Sequence, residues 1–91
     1  MDSDSITKQD IAIFQKRLLL IRTWFDMSTK ELGDYIGVSR QTINNLEHGR
    51  ARMSKTQYIA INVIFEYVAE KRGITKEYES VMDCLINLIE K

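Results

Sequence analysis

The segment from Ser28 to Gly49, STKELGDYIGVSRQTINNLEHG, constrains this chain more than any other. It holds two short helical patterns, each with its own start and stop, meeting at the turn Gly37-Val38-Ser39. Ser28 and Glu31 form an S-x-x-E capping box, with Met27 and Leu32 placed as the hydrophobic staple around it. Leu32, Tyr35 and Ile36 are expected on the inner face of this helix. Gly37 stops it, because glycine accepts the left-handed conformation that a C-cap requires. Ser39 caps the next helix, Val38 and Ile43 staple it, and Gly49 ends it.

The rest of the chain also reads as helix. It has no proline and only four glycines in 91 residues, which favours long helices over sheet. A first helix is expected from Lys8 to Phe25, capped by Thr7, with Ile11, Phe14, Leu18, Ile21 and Phe25 recurring at spacings of three and four. Trp24 and Phe25 read as core or helix-end packing. A fourth helix opens with the capping box Ser54-x-x-Gln57, stapled by Met53 and Tyr58, and closes at Lys71, Arg72 and Gly73. A fifth is expected from Lys76 to Ile89, capped by Thr75, with a broad apolar surface of Tyr78, Val81, Met82, Leu85, Leu88 and Ile89. The fold class is therefore all-α, five helices in a single domain over residues 1–91. Cys84, the only cysteine, falls in an apolar pattern and reads as a buried small hydrophobe.

The third helix has two distinct sides. Ile43, Leu46 and Glu47 point inward, while Gln41, Asn44, Asn45 and His48 share the opposite side and Arg40 joins Gln41 in the first turn. Arginine can pair in bidentate fashion with guanine, and glutamine or asparagine with adenine, so these residue types suit base edges in a major groove. Backbone N–H groups at the start of the helix, behind Ser39, can hold a phosphate. A solvated helix face is the alternative. Surface helices favour Glu and Lys, however, and two adjacent asparagines within a helix weaken it, which points to another use. Net charge is zero and the isoelectric point is near 6.6, but the distribution is uneven. From Gly37 to Lys55 the charged residues are Arg40, Arg50, Arg52 and Lys55 against Glu47 alone. His48 reads either as a phosphate contact or as a helix C-terminal cap.

These residues make the segment a helix-turn-helix. Ser28, Glu31, Leu32, the Gly37-Val38-Ser39 turn, Ile43, Leu46, Glu47 and Gly49 together resemble the Cro/Xre-type, lambda-repressor-like family, over about Leu18 to Val68. The resemblance implies a five-helix DNA-binding domain whose third helix enters the major groove. It places Arg40, Gln41, Thr42 and Asn45 at base-reading or base-adjacent positions, and Asn44 beside them or on the backbone. It places the loop from Arg50 to Lys55, with Arg50, Arg52 and Lys55, where the family clamps phosphates, and implies a structural ion pair between Arg22 and Glu47. The chain departs from the family at three places. Thr29 stands where glutamine usually braces a phosphate, Gly33 where alanine is usual and still permits close packing while loosening the helix, and the loop lacks a common proline.

The parts of an enzyme are missing from the sequence: it has no glycine-rich phosphate loop and a single histidine. Metal ligands and cofactors are not expected. The acidic N-terminus does not resemble a signal peptide, and cytoplasm is the expected location. The expected function is a small repressor of phage or mobile-element type, without a sensor domain, binding double-stranded palindromic operator DNA as a homodimer. The surface of the fifth helix, residues 75–90, either makes the dimer or closes the core. An antitoxin, or an interaction module that has lost DNA binding and acts on a protein partner, remains the alternative.

Overall fold

The computed structural model describes residues 5–87 and is all-α. Its elements are α1 (Lys8–Trp24), α2 (Thr29–Ile36), α3 (Arg40–Glu47), α4 (Lys55–Arg72) and α5 (Thr75–Met82), followed by a π-helical turn, Asp83–Asn87. Among the described residues no helix is long and apolar enough to cross a membrane.

Local chemistry sets most boundaries. Thr7, Ser28 and Ser54 each accept from the backbone N–H three residues on, and Asp10, Glu31 and Gln57 each return the bond to the cap backbone. Three helix starts are thus satisfied reciprocally. Ser39 accepts from the Thr42 N–H alone. Met27 and Met53, just before two of these caps, are buried, so the staples are real contacts with the core.

That core is one cluster. Phe14, Leu18 and Ile21 of α1 and Phe25 at its end meet Leu32, Ile43, Leu46, Ile61, Phe65, Val68 and Tyr78. The Phe25 ring stacks on Phe65 at 5.1 Å between centroids, and Phe14 meets Tyr58 edge-on at 5.2 Å. Trp24 lies edge-on to Phe25 at 4.9 Å. Arg72, near the end of α4, donates to the Phe25 carbonyl at 2.6 Å and lies over its ring.

Three expectations are corrected. Tyr35 is exposed, not on the inner face of α2; the residues that pack there are Leu32, Gly33 and the half-buried Ile36. Thr75 does not cap α5. The Ile74 N–H is taken by the Ala69 carbonyl as α4 closes, and the Ile74 carbonyl already accepts from Tyr78, so Thr75 is the first helical residue. Cys84 is exposed. The π-helical turn carries an extra residue per turn and shifts the phase of the pattern, so Leu85 and Ile86 pack on the core while Asp83 and Cys84 face outward. Leu88 and Ile89 lie outside the described residues.

The α2–α3 turn depends on two glycines. Gly37 has φ 80°, and its N–H and that of Val38 both close on the Gly33 carbonyl, at 2.8 and 2.9 Å. Gly33 is needed for space. A Cβ there would lie 2.6 Å from the Val38 carbonyl oxygen, which is backbone and cannot swing aside. Gly33 therefore lets α2 sit directly against the turn, and its low helix propensity is offset by that approach. Gly33→Ala gains up to about 1 kcal/mol of helix propensity but forces the turn apart at a cost of about 1–3 kcal/mol. The expected outcome is a net loss of stability in urea denaturation, with the α2–α3 turn displaced; an unchanged or raised midpoint would contradict the packing described.

Candidate nucleic-acid interface

Two polar side chains of α1 bracket the C-terminal end of α3. Arg22 donates through Nε and Nη2 to the two carboxylate oxygens of Glu47, the second at 3.0 Å, and through Nη1 to the Met27 carbonyl at 2.8 Å. The two side chains are 12% and 1% exposed. Next to Phe14 and about one turn of α1 before Leu18, Gln15 donates to the carbonyls of Leu46 at 2.9 Å and Ala51 at 2.7 Å, and its Oε1 accepts from the Met53 N–H at 2.9 Å. Gln15 is the residue that sequence reasoning missed. Its one signal was a polar side chain flanking the stripe of Ile11, Phe14 and Leu18.

Held in this way, α3 turns Ile43 and Leu46 into the core. Arg40 and Gln41 are exposed, and Thr42, Asn44 and Asn45 half-buried. Gln41 Nε2 donates to Asn45 Oδ1 at 3.0 Å across one helical turn. That contact leaves the Gln41 carbonyl oxygen as acceptor and the Asn45 amide as donor, side by side on the outer surface. Ser39 Oγ is engaged by the Thr42 N–H and lies 3.1 Å from Thr42 Oγ1, so Ser39 contributes a fixed helix start. Thr29 is the first residue of α2 and is half-buried.

Beyond α3 the chain turns at Gly49, with φ 71°, and the Arg50 N–H closes on the Asn45 carbonyl at 2.9 Å. Arg50 and Arg52 are exposed on the loop that Gln15 pins through Ala51 and Met53, and Lys55 is exposed just beyond it as the first residue of α4. His48 folds back: its Nδ1 lies 2.9 Å from the Asn44 carbonyl, where it acts as donor, leaving Nε2 for any outside partner. Lys8 and Lys16 of α1 border the same groove as Arg50, Arg52 and Lys55, and add positive charge that was not expected there. Among the described residues no group of acidic, histidine and cysteine side chains is arranged to hold a metal.

A family model described as helix-turn-helix matches residues 18–67. The chain belongs to the Cro/Xre-type helix-turn-helix family. No curated protein and no solved structure matches it. As a helix-turn-helix protein it is a DNA-binding regulator in the general sense of that family. The matched span contains Arg22, Glu47, both helices of the motif and most of α4; it leaves out Gln15 and α5.

Glu47→Gln is expected to destabilise the helix-turn-helix unit by about 3–5 kcal/mol, because it leaves the Arg22 charge buried without its counter-ion. The double replacement Arg22→Met with Glu47→Leu should lose much less than the single replacements Arg22→Met and Glu47→Leu lose together. Chemical denaturation of the four proteins gives the coupling; additive losses would show that the pair does not act as a unit. Gln15→Ala should cost about 1–3 kcal/mol through the backbone groups it leaves without partners, and should raise amide exchange in the loop from Ala51 to Met53.

Proposed function

We propose that the chain is a sequence-specific repressor that lays α3 in the major groove of double-stranded DNA. The observation that carries this is the outer face of α3, where Arg40 and the Gln41–Asn45 pair stand exposed or half-buried beside a pinned basic loop. Arg40 suits the O6 and N7 acceptors of guanine. The acceptor of Gln41 and the donor of Asn45 match the N6 donor and N7 acceptor of adenine, and their mutual hydrogen bond orients both before contact. Thr42, half-buried in the same turn as Gln41, offers its methyl to a thymine methyl, while Asn44 lies nearer the DNA backbone.

The phosphate contacts flank this face. The start of α3 behind Ser39 and the start of α2 at Thr29 present backbone N–H groups to one strand. Arg50, Arg52, Lys55 and His48 Nε2 take phosphates on the other side of the reader. Two subunits on a palindrome would place their α3 helices in successive major grooves about 34 Å apart. Such binding blocks a promoter without any further chemistry.

Selection from a random duplex pool should recover a palindrome, and binding to it should weaken steeply as salt rises. Arg40→Ala is expected to cost about 1–3 kcal/mol of preference at one base position. Arg52→Ala should weaken all duplexes alike and lower the salt slope by about 1. If both variants bind every duplex as the parent does, the face assigned to DNA is wrong.

A further inference from the structure

The carbonyls at the end of α3 are taken one by one. His48 covers that of Asn44 twice, with its backbone N–H at 3.1 Å and its ring Nδ1 at 2.9 Å. The Arg50 N–H takes that of Asn45, and the Gly49 N–H and Gln15 Nε2 share that of Leu46. The ring contact of His48 fixes more than a helix end. A backbone carbonyl only accepts, so Nδ1 must carry a proton. In the neutral ring Nε2 is then a bare lone pair, and in the charged ring it is an N–H donor. His48 is exposed and borders the groove between the start of α1 and the loop after α3. The charged residues that border this groove with it are Lys8 and Lys16 of α1, Glu47 of α3, Arg50 and Arg52 of the loop, and Lys55 of α4. Glu47 is tied to Arg22. Among these residues no free carboxylate is left to pair with an imidazolium, so its partner at Nε2 must come from outside.

We infer that His48 is a proton-linked phosphate contact, which rests on the DNA reading proposed above, and that it makes the affinity of this chain for DNA depend on pH. The neutral ring turns a lone pair toward phosphate oxygens, which are themselves acceptors, and the two repel. Protonation at Nε2 takes one proton from solvent and turns that repulsion into a charge-assisted N–H···O bond. Nδ1 keeps its proton and its bond to the Asn44 carbonyl throughout, so neither α3 nor the loop has to move. The charged ring also suits its place, since the C-terminal end of a helix favours a cation. The DNA-bound chain then holds one proton more than the free chain. Binding therefore strengthens as pH falls, by up to about tenfold per pH unit within the window of titration. Of ordinary side chains only histidine changes charge between pH 5 and 8. This chain has a single histidine, so a response in that window belongs to one ring.

Nitrogen NMR of the free chain at about pH 8, where histidine is ordinarily neutral, should show the ring proton on Nδ1 and none on Nε2. Anisotropy titrations with a duplex recovered from the random pool, at constant ionic strength, should give binding about tenfold tighter at about pH 5.5 than at about pH 8. The salt slope should be steeper by about 1 at the lower pH, because one more phosphate is then neutralised. His48→Gln cannot titrate; with its helical spectrum intact it should bind alike at both pH values and show one salt slope. A free ring with its proton on Nε2 overturns the inference. So does a parent chain that binds duplex equally at both pH values, a gain at low pH with no change in salt slope, or a His48→Gln chain that keeps the pH response. Those outcomes leave the DNA reading standing. A chain that binds no duplex at any pH overturns that reading and the role of His48 together.

Discussion

The orientation of α3 depends on one guanidinium group. Arg22 uses Nε and Nη2 on the Glu47 carboxylate and Nη1 on the Met27 carbonyl, so a single planar group joins the end of α1, the approach to α2 and the end of α3. A buried ion pair contributes little net stability compared with well-packed apolar side chains, because both charges lose their water. Its contribution here is geometric. The fork accepts one placement of the carboxylate, and the Glu47 side chain, 1% exposed, has no solvent to turn to. Slippage of α3 along α1 would break two charged hydrogen bonds at once.

Such a constraint is needed because α3 is weak by itself. It has eight residues, too few to persist as an isolated helix, and it contains Asn44 and Asn45, both poor helix formers. Its helical state is imposed from outside. Ile43 and Leu46 anchor one side, Ser39 fixes the start, Glu47 is tied to Arg22, and Gln15 holds the Leu46 carbonyl that the helix end leaves open. Because the scaffold supplies the order, the outward positions need not favour helix and can carry polar groups chosen for another purpose. The same reasoning bears on charge. The chain is neutral as a whole, but its basic residues gather where Gln15 pins the loop, and a local field of this kind acts within a Debye length of about 10 Å whatever the total.

What could be read in the sequence was what is encoded over three or four residues. Capping boxes at Ser28 and Ser54, the stop at Gly37 and the core stripe of α1 are short-range patterns, and the structure contains each of them. The Arg22–Glu47 contact joins residues far apart in the chain, and only the family resemblance pointed to it. Gln15 was missed because its partners lie 31 to 38 residues away and are backbone groups, which leave no trace in side-chain pattern. Gly33 looked like a loosened helix position, since the closeness of the Val38 carbonyl depends on how the turn folds back. Tyr35, Thr75 and Cys84 were misread for different reasons. Tyr35 lies within regular helix, but Leu32, Gly33 and Ile36 take the packed side of α2. Thr75 has the residue type of a cap, but the Ile74 carbonyl already opens α5. Cys84 was placed by extending a regular helical phase that is lost where the π-helical turn begins.

The polar side chains of α1 reach three separate parts of the fold. Gln15 holds the loop after α3, Arg17 donates to the Leu85 carbonyl, and Arg22 holds Glu47, while the buried side of the same helix lies against α4 through Phe14 and Phe25. α1 therefore fixes α3 and α4 to one rigid body, through close-packed rings on one side and charged or amide hydrogen bonds on the other. Any contact made on α1 or α4 is therefore held at a distance from α3 that this body sets and no flexible connection alters, and a tilt of α1 on α4 at the ring stack of Phe25 and Phe65 would be transmitted directly to α3.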